Sequence, residues 1–279
     1  MRMKRVLVIA GSDSGGGAGI QADIKTIAAR GVYGMTAITA LTAQNTMGVE
    51  GVFEIPLAFV GRQIDVVMKD IGANVWKTGM LSSREIIGLV AGRARDYLVD
   101  RLIVDPVMIA KGGSLLLKED AKDALIRELF PVTFAITPNH HEAQELTGLE
   151  IKTPQDMEEA ARKLHQMGPR YVIVKGGDLP KEQDALDILY DGGSFFTLRA
   201  RRRQTYNTHG TGCTFASAFA AEIAKGRPVL DAARLAKRYV TATIDYADEM
   251  DIGNGHGPLN HFFGKVTPLP DESSQTTKS

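Results

Sequence analysis

Val6-Leu7-Val8-Ile9-Ala10 runs directly into Gly11-Ser12-Asp13-Ser14-Gly15-Gly16-Gly17-Ala18-Gly19, and a helical stretch opens near Ile20. An unbroken apolar run rich in β-branched residues reads as a strand covered on both faces. A strand that feeds a helix through a glycine turn is the repeating unit of an α/β protein. The alternation continues along the chain. Residues 4–10, 34–41, 75–79, 101–105, 133–137 and 170–175 read as strands, and 56–71, 82–98, 118–130 and 153–167 as helices. Ser82 and Thr153 suit helix N-caps, while Pro56 and Pro154 suit first-turn positions. Residues 185–190 and 194–200 flank Asp191-Gly192-Gly193, a β-hairpin signal, and helices over 211–225 and 228–249 follow. The fold class expected is α/β, a mainly parallel central sheet with helices on both faces and a late hairpin. One domain over residues 1–265 accounts for the pattern, and the Pro/Ser/Thr-rich stretch 266–279 reads as a disordered tail.

The chain has 279 residues, with 33 Lys+Arg balanced by 33 Asp+Glu. Such a neutral balance excludes a polybasic nucleic-acid or membrane-surface protein. A single cysteine among 279 residues excludes an intramolecular disulfide framework and fits a reducing cytoplasm. The uncharged windows 31–49 and 204–221 are rich in Gly, Thr, Asn and Gln, which suits a ligand-bearing core better than a membrane span.

In parallel α/β sheets ligands gather beyond the carboxyl ends of the strands, so the polar residues there carry the functional reading. The first glycine turn suits an anion, but it lacks the Gly-Lys-Ser/Thr of a phosphate loop and the spacing of a dinucleotide fingerprint. Asn207-Thr208-His209-Gly210-Thr211-Gly212-Cys213-Thr214 opens a helix. Its glycines let successive N–H groups converge, and the helix dipole adds positive potential. Cys213 stands in the first turn, where a thiol's pKa is lowered and a thiolate could deprotonate a hydroxyl. The commoner fate of a free cysteine is a small buried packing residue. Asp105, Asn139 and Glu142 share one rim and suit Mg²⁺, while Lys175 suits a phosphate. Asn139 as an N-cap and Glu142 as a dipole residue are the competing readings. His140-His141 lacks metal-ligand spacing and reads as a solvated turn. Arg199, Arg201, Arg202 and Arg203 read as an exposed strand end leading into the anion-binding turn.

Together these segments resemble the hydroxymethylpyrimidine/phosphomethylpyrimidine kinases of thiamine synthesis, members of the ribokinase-like superfamily. The matching stretches are AGSDSGGGAGIQADIKT (10–26), ALTAQNT (40–46), KTGML (77–81), DPVM (105–108), ITPNHHEAQELTG (136–148), VKGG (174–177), NTHGTGCT (207–214) and GHGPLNHFF (255–263). The resemblance implies ATP-dependent phosphorylation of 4-amino-5-hydroxymethyl-2-methylpyrimidine and then of its monophosphate. It makes Cys213 the base, where most of the superfamily has Asp, and Gly210, Thr211 and Gly212 the hole for the moving phosphoryl group. It places Asp105 and Glu142 on Mg²⁺, and Asn139, Thr211, Lys175 and Lys237 on the nucleotide. It also implies a homodimer across the sheet edge.

A Gln amide matches the donor and acceptor of a 4-aminopyrimidine, as it does those of adenine, and Gln44 is the candidate. Met80 and Val107 would form apolar walls, Ala18 and Gly19 would bring backbone to the ring, and Asp23 would reach in from the first helix. Two alternatives stand beside this: a pyridoxine/pyridoxal kinase, whose substrate has no 4-amino group, and an idle pyrimidine- or nucleotide-binding sensor on the same scaffold.

Overall fold

Nine strands make one sheet among the residues that the computed structural model describes, which are 3–108, 119–177, 179 and 184–263. They are β1 (Arg5–Asp13), β2 (Tyr33–Gln44), β3 (Val49–Glu54), β4 (Val75–Thr78), β5 (Leu102–Val104), β6 (Ala135–Ile136), β7 (Tyr171–Lys175), β8 (Asp184–Tyr190) and β9 (Phe195–Arg201). Their order is β3-β2-β1-β4-β5-β6-β7-β8-β9, parallel from β2 to β7 and antiparallel at both edges. The tail expected from residue 266 and the helix start expected at Lys118 lie outside the described residues.

Helices cover both faces. Strand side chains alternate, so β1 sends Leu7 and Ile9 to one face and Val6 and Val8 to the other. Leu7 and Ile9 join the core beneath α2 (Leu57–Asp70), α3 (Arg84–Asp96), α4 (Glu119–Ala124), α5 (His140–Thr147) and α6 (Pro154–Gln166). Val6 and Val8 join the core beneath α1 (Gly19–Ala29), α7 (Thr211–Ala224) and α8 (Val229–Asp245). Every residue of α7 from Thr214 to Ala224 is buried, as the apolar all-round sequence of this helix demands. No helix of the described residues is long and apolar enough to cross a membrane.

Several expectations shift. Ser83 caps α3, accepting from the Ile86 N–H, and Ser82 precedes the cap. Pro56 stands at the N-cap of α2 rather than in its first turn, whereas Thr153 and Asp156 form a capping box with Pro154 at N1 of α6. The helix after Glu119 becomes a π turn at Leu125–Leu129 and a 3₁₀ turn at Phe130–Val132. Pro131 has no N–H to donate and its ring displaces the carbonyl four residues back, so α-geometry cannot run through it. Strand β3 and helix α5 are additional elements. α8 ends at Asp245, and a 3₁₀ turn at Ala247–Glu249 completes the span expected to be helical. His140 is buried at the start of α5 rather than solvated.

Candidate active site

Above the carboxyl ends of β1, β2 and β4–β7 lies a cavity of about 870 Å³. It opens where the chain direction splits: the helix after β1 packs on one face of the sheet, and the helix after β4 on the other. All the residues expected at the site except Asp23 line it.

Its ceiling is the N-terminus of α7. Gly210 is the N-cap, with φ 86°, and no side chain caps the helix. The Thr211 N–H reaches the Thr208 carbonyl at 3.4 Å; the next N–H groups have no carbonyl four residues back inside the helix, which leaves them as donors where Gly212 and Cys213 line the cavity. A Cβ at Gly210 would overlap the carbonyl oxygen of Gly17, so the two glycine turns lie back to back and only glycine fits. The hydroxyl of Thr211 donates to the Thr208 carbonyl at 2.7 Å, closing the turn.

Cys213 follows in the first turn and is half-buried. Its thiol is not lowered as expected: enclosure by protein pushes it up to about 12, against the pull of the Lys77 ammonium. The dipole of one helix end is too small to offset desolvation of a thiolate.

The charged rim lies on the β5–β7 side. Lys175 Nζ donates to Asp105 Oδ1 at 3.0 Å, and Thr137 Oγ1 donates to the same oxygen at 3.1 Å. Asp105 Oδ2 is buried without a partner. Asn139 and Glu142 form a capping box, each side chain accepting from the other's backbone N–H at 2.8 Å. Both residues thus cap α5 and line the cavity at once. Burial lifts Glu142 to about 7; Lys175 opposes the rise and Asp105 adds to it. A Cβ at Gly212 would stand 3.2 Å from Lys175 Nζ and 3.6 Å from Asp105 Oδ2, so the hole and the rim face each other closely. A buried carboxylate oxygen lacking a partner, beside a second carboxylate, is the donor chemistry Mg²⁺ takes together with water and phosphate oxygens. No cluster of three or more His, Cys, Asp or Glu fit for a metal occurs among the described residues, so substrate would complete the shell.

Lys237 reaches the cavity wall, but its ammonium is tied to Asp187 Oδ2 at 2.8 Å and is neither free nor solvated. Asp187 also accepts from the Gly176 N–H at 3.2 Å. Arg201, Arg202 and Arg203 continue this side of the wall.

On the opposite side Met80 and Val107 face the cavity, and Ala18 and Gly19 approach as backbone. Asp23 does not reach it. Fully buried beneath the floor, it accepts from Lys77 Nζ at 2.8 Å and from Ser217 Oγ at 2.6 Å. One turn into the helix, its side chain points at the sheet. Burial works against the charge on Lys77, yet the Asp23 carboxylate holds its pKa above the ordinary lysine value. The Gln44 amide lies between Thr42 Oγ1, at 3.1 Å, and His209 Nε2, at 3.2 Å.

Sequence patterning gives no role to Asp13, Lys77, Asp187 or His209. Asp13 accepts from the N–H groups of Gly15, Gly17 and Ala18 and from His209 Nε2 at 2.8 Å. Burial works against its charge, but the His209 ring and these amides hold its pKa below the ordinary value. An Asp two residues before a glycine signals such a turn. Nothing local marks His209, whose side-chain partners Asp13 and Gln44 lie 196 and 165 residues away.

The phosphomethylpyrimidine kinase family model matches residues 13–260. The chain is 51% identical over 256 residues to the thiamine biosynthesis bifunctional protein ThiED of Geobacter sulfurreducens, covering 92% of this chain and 52% of that protein. It is 47% identical over 269 residues to the hydroxymethylpyrimidine/phosphomethylpyrimidine kinase of Bacillus subtilis, covering 96% and 98%. The chain thus spans about half the length of the bifunctional relatives it matches. Among solved structures, an ADP complex of Bacillus subtilis pyridoxal kinase aligns with TM-score 0.87 at 40% identity, covering 93% of this chain and 98% of that one.

Proposed function

The chain belongs to the phosphomethylpyrimidine kinase family, and we propose that it transfers the γ-phosphoryl group of ATP to 4-amino-5-hydroxymethyl-2-methylpyrimidine and then to the resulting monophosphate, in thiamine biosynthesis. The observation that carries this reading is the meeting of two halves in one cavity. An uncapped helix start faces Asp105 and Lys175 on one side, and an apolar slot ends in an amide at Gln44 on the other.

The carbinol oxygen attacks the γ-phosphorus in line; an O–P bond forms as the bond to the β-bridging oxygen breaks, and ADP leaves with that electron pair. Backbone N–H groups of Gly210, Thr211 and Gly212 bind the charge gathered on the transferring oxygens, and Lys175 stands against the phosphates. Asp105 and Glu142 would hold Mg²⁺, which neutralises phosphate charge when bound. Cys213 Sγ takes the carbinol proton. Burial pushes this thiol up and the Lys77 ammonium beneath it pulls the other way, favouring the thiolate. Asn139 fixes Glu142, and Lys237 fixes Asp187 at the nucleotide wall.

The expected outcome for Cys213→Ala is a kcat loss of roughly two orders of magnitude, the usual scale for a lost general base, with pyrimidine affinity retained. A coupled ADP-release assay with parallel binding titration checks it; undiminished turnover removes Cys213 from the mechanism. A second reading, pyridoxal phosphorylation, has support in the likeness to a pyridoxal kinase. Gln44 favours the aminated ring. Comparing kcat/KM for the two substrates at saturating ATP decides between them, and a much higher value for pyridoxal reverses the assignment.

The proposed assembly is a homodimer through the β2–β3 edge in the cytoplasm. There Leu41 pairs with Phe53, both exposed, beside exposed Met47 and Val52.

A further inference from the structure

Gln44 cannot discriminate a ring unless its own orientation is fixed. A half-turn of the last side-chain torsion exchanges the amide oxygen and nitrogen, and partners alone decide which sits where. Two partners hold this amide, and each is committed elsewhere.

Thr42 Oγ1 donates to the Ser12 carbonyl at 2.9 Å. A hydroxyl has one proton and a carbonyl only accepts, so toward Gln44 the Thr42 oxygen must accept. The structure sets Gln44 Oε1 at 3.1 Å from this oxygen and Gln44 Nε2 at 3.2 Å from His209 Nε2; with the Thr42 proton already given to Ser12, the half-turned amide, nitrogen beside Thr42, is the one this partner satisfies. On the other flank, His209 Nε2 lies 2.8 Å from Asp13 Oδ2. Three backbone amides bind the Asp13 carboxylate, and it donates nothing, so the ring nitrogen carries the proton. A protonated ring nitrogen 3.2 Å from Gln44 Nε2 would set donor against donor, so this flank too is satisfied by the half-turned amide, with its oxygen toward His209. Two independent contacts demand the same orientation.

We infer that His209, held by Asp13, is a positioning residue that sets the direction in which Gln44 reads the substrate ring; this rests on the pyrimidine assignment above. Once fixed, the amide keeps one lone pair on its His209 side and one N–H on its Thr42 side. A 4-amino group must meet the lone pair, and the adjacent ring nitrogen must meet the N–H. The 5-hydroxymethyl group neighbours the amino carbon, so it lies toward His209. That residue directly precedes Gly210 of the anion hole. The 2-methyl group lies on the Thr42 side. An amide free to turn would also accept the reversed ring, whose carbinol points away from the hole.

The test compares affinity and kcat/KM for 4-amino-5-hydroxymethyl-2-methylpyrimidine and for its analogue bearing hydrogen at position 4. The wild type, His209→Ala, Thr42→Val and each variant combined with Gln44→Ala are measured. Each single variant should lose roughly five- to tenfold of the preference for the aminated ring, the scale of one hydrogen bond. Affinity for the hydrogen analogue should change less than about twofold, and neither variant should reduce the preference further once Gln44 is removed. Thr42→Val supplies the answer if His209→Ala disturbs folding. Variants that keep the preference, or losses additive with Gln44→Ala, overturn the inference while leaving the kinase assignment intact. A wild type indifferent to the amino group overturns the pyrimidine reading and this inference with it.

Discussion

Lys77 and Asp23 form a fully buried ion pair directly under the candidate-site cavity, with side-chain exposures of 0% and 0%. Desolvation of both charges takes up most of what their attraction provides, but removal of one leaves the other uncompensated. Lys77→Met should therefore destabilise the protein by about 3–5 kcal/mol in chemical denaturation. Adding Asp23→Asn should restore at least half of that loss, because the uncharged amide still offers Ser217 an acceptor. A double variant as unstable as Lys77→Met would show that the lysine acts through packing alone. At this scale the sequence conveys chemistry better than position. Cys213, Lys175 and Asp105 lie where strand ends and a helix start require. Asp23 does not, since its placement depends on a lysine from another strand. His209 and Asp187 owe their settings to partners that no local pattern announces.

Helix α7 joins the site to the last described segment. Thr214 Oγ1 lies 2.9 Å from His261 Nε2, and Tyr239 donates to the His261 carbonyl at 3.2 Å. Burial, aided by the nearby Lys25 ammonium, lowers His261 from 6.5 to about 4. As pH falls below 6.5 the unfolded chain takes up this proton first. Stability linked to His261 is therefore complete above about 6.5 and lost as pH falls towards 4. The whole effect is up to about 3 kcal/mol. His261→Gln, which cannot titrate, should show a smaller fall in Tm between neutral and acid pH; an unchanged slope would reject the assignment. Elements with strong periodicity are legible in the sequence: six parallel strands, the hairpin at Asp191 and the long helices. β3 is not, because Gly51 followed by the adjacent apolar pair Val52-Phe53 leaves no polar/apolar alternation, and five of its six residues are exposed. α5 has only eight residues and no apolar stripe long enough to register, although Asn139 and Glu142 carry the residue types of a cap.

For the whole molecule, the neutral chain would leave attraction of the proposed ATP to local groups: the backbone donors of α7, Lys175 and the arginines at the end of β9 and just after it. The exposed β2–β3 edge presents Met47 and Phe53, 70% and 64% exposed, where an unpaired strand edge is an association hazard unless covered. Phe53→Glu should convert the proposed dimer to a monomer in sedimentation velocity; a wild type that sediments as a monomer throughout removes this interface. The sheet class and its binding edge follow from strand and turn patterning. The clasp that completes the site does not, because it joins distant parts of the chain. The segment around Gly255 and His256 bonds to Thr46, and His209 donates its N–H to the Gly257 carbonyl. Gly210 meanwhile seats against Gly17. This arrangement has a consequence for synthesis. A nascent chain emerging as far as β9 already carries every strand described in the sheet and the first glycine turn, but not the segment proposed to supply the anion hole and the base. The proposed phosphoryl transfer therefore requires the segment from Asn207 to His261 to have left the ribosome and closed over residues translated first, and chains ending at β9 should show none.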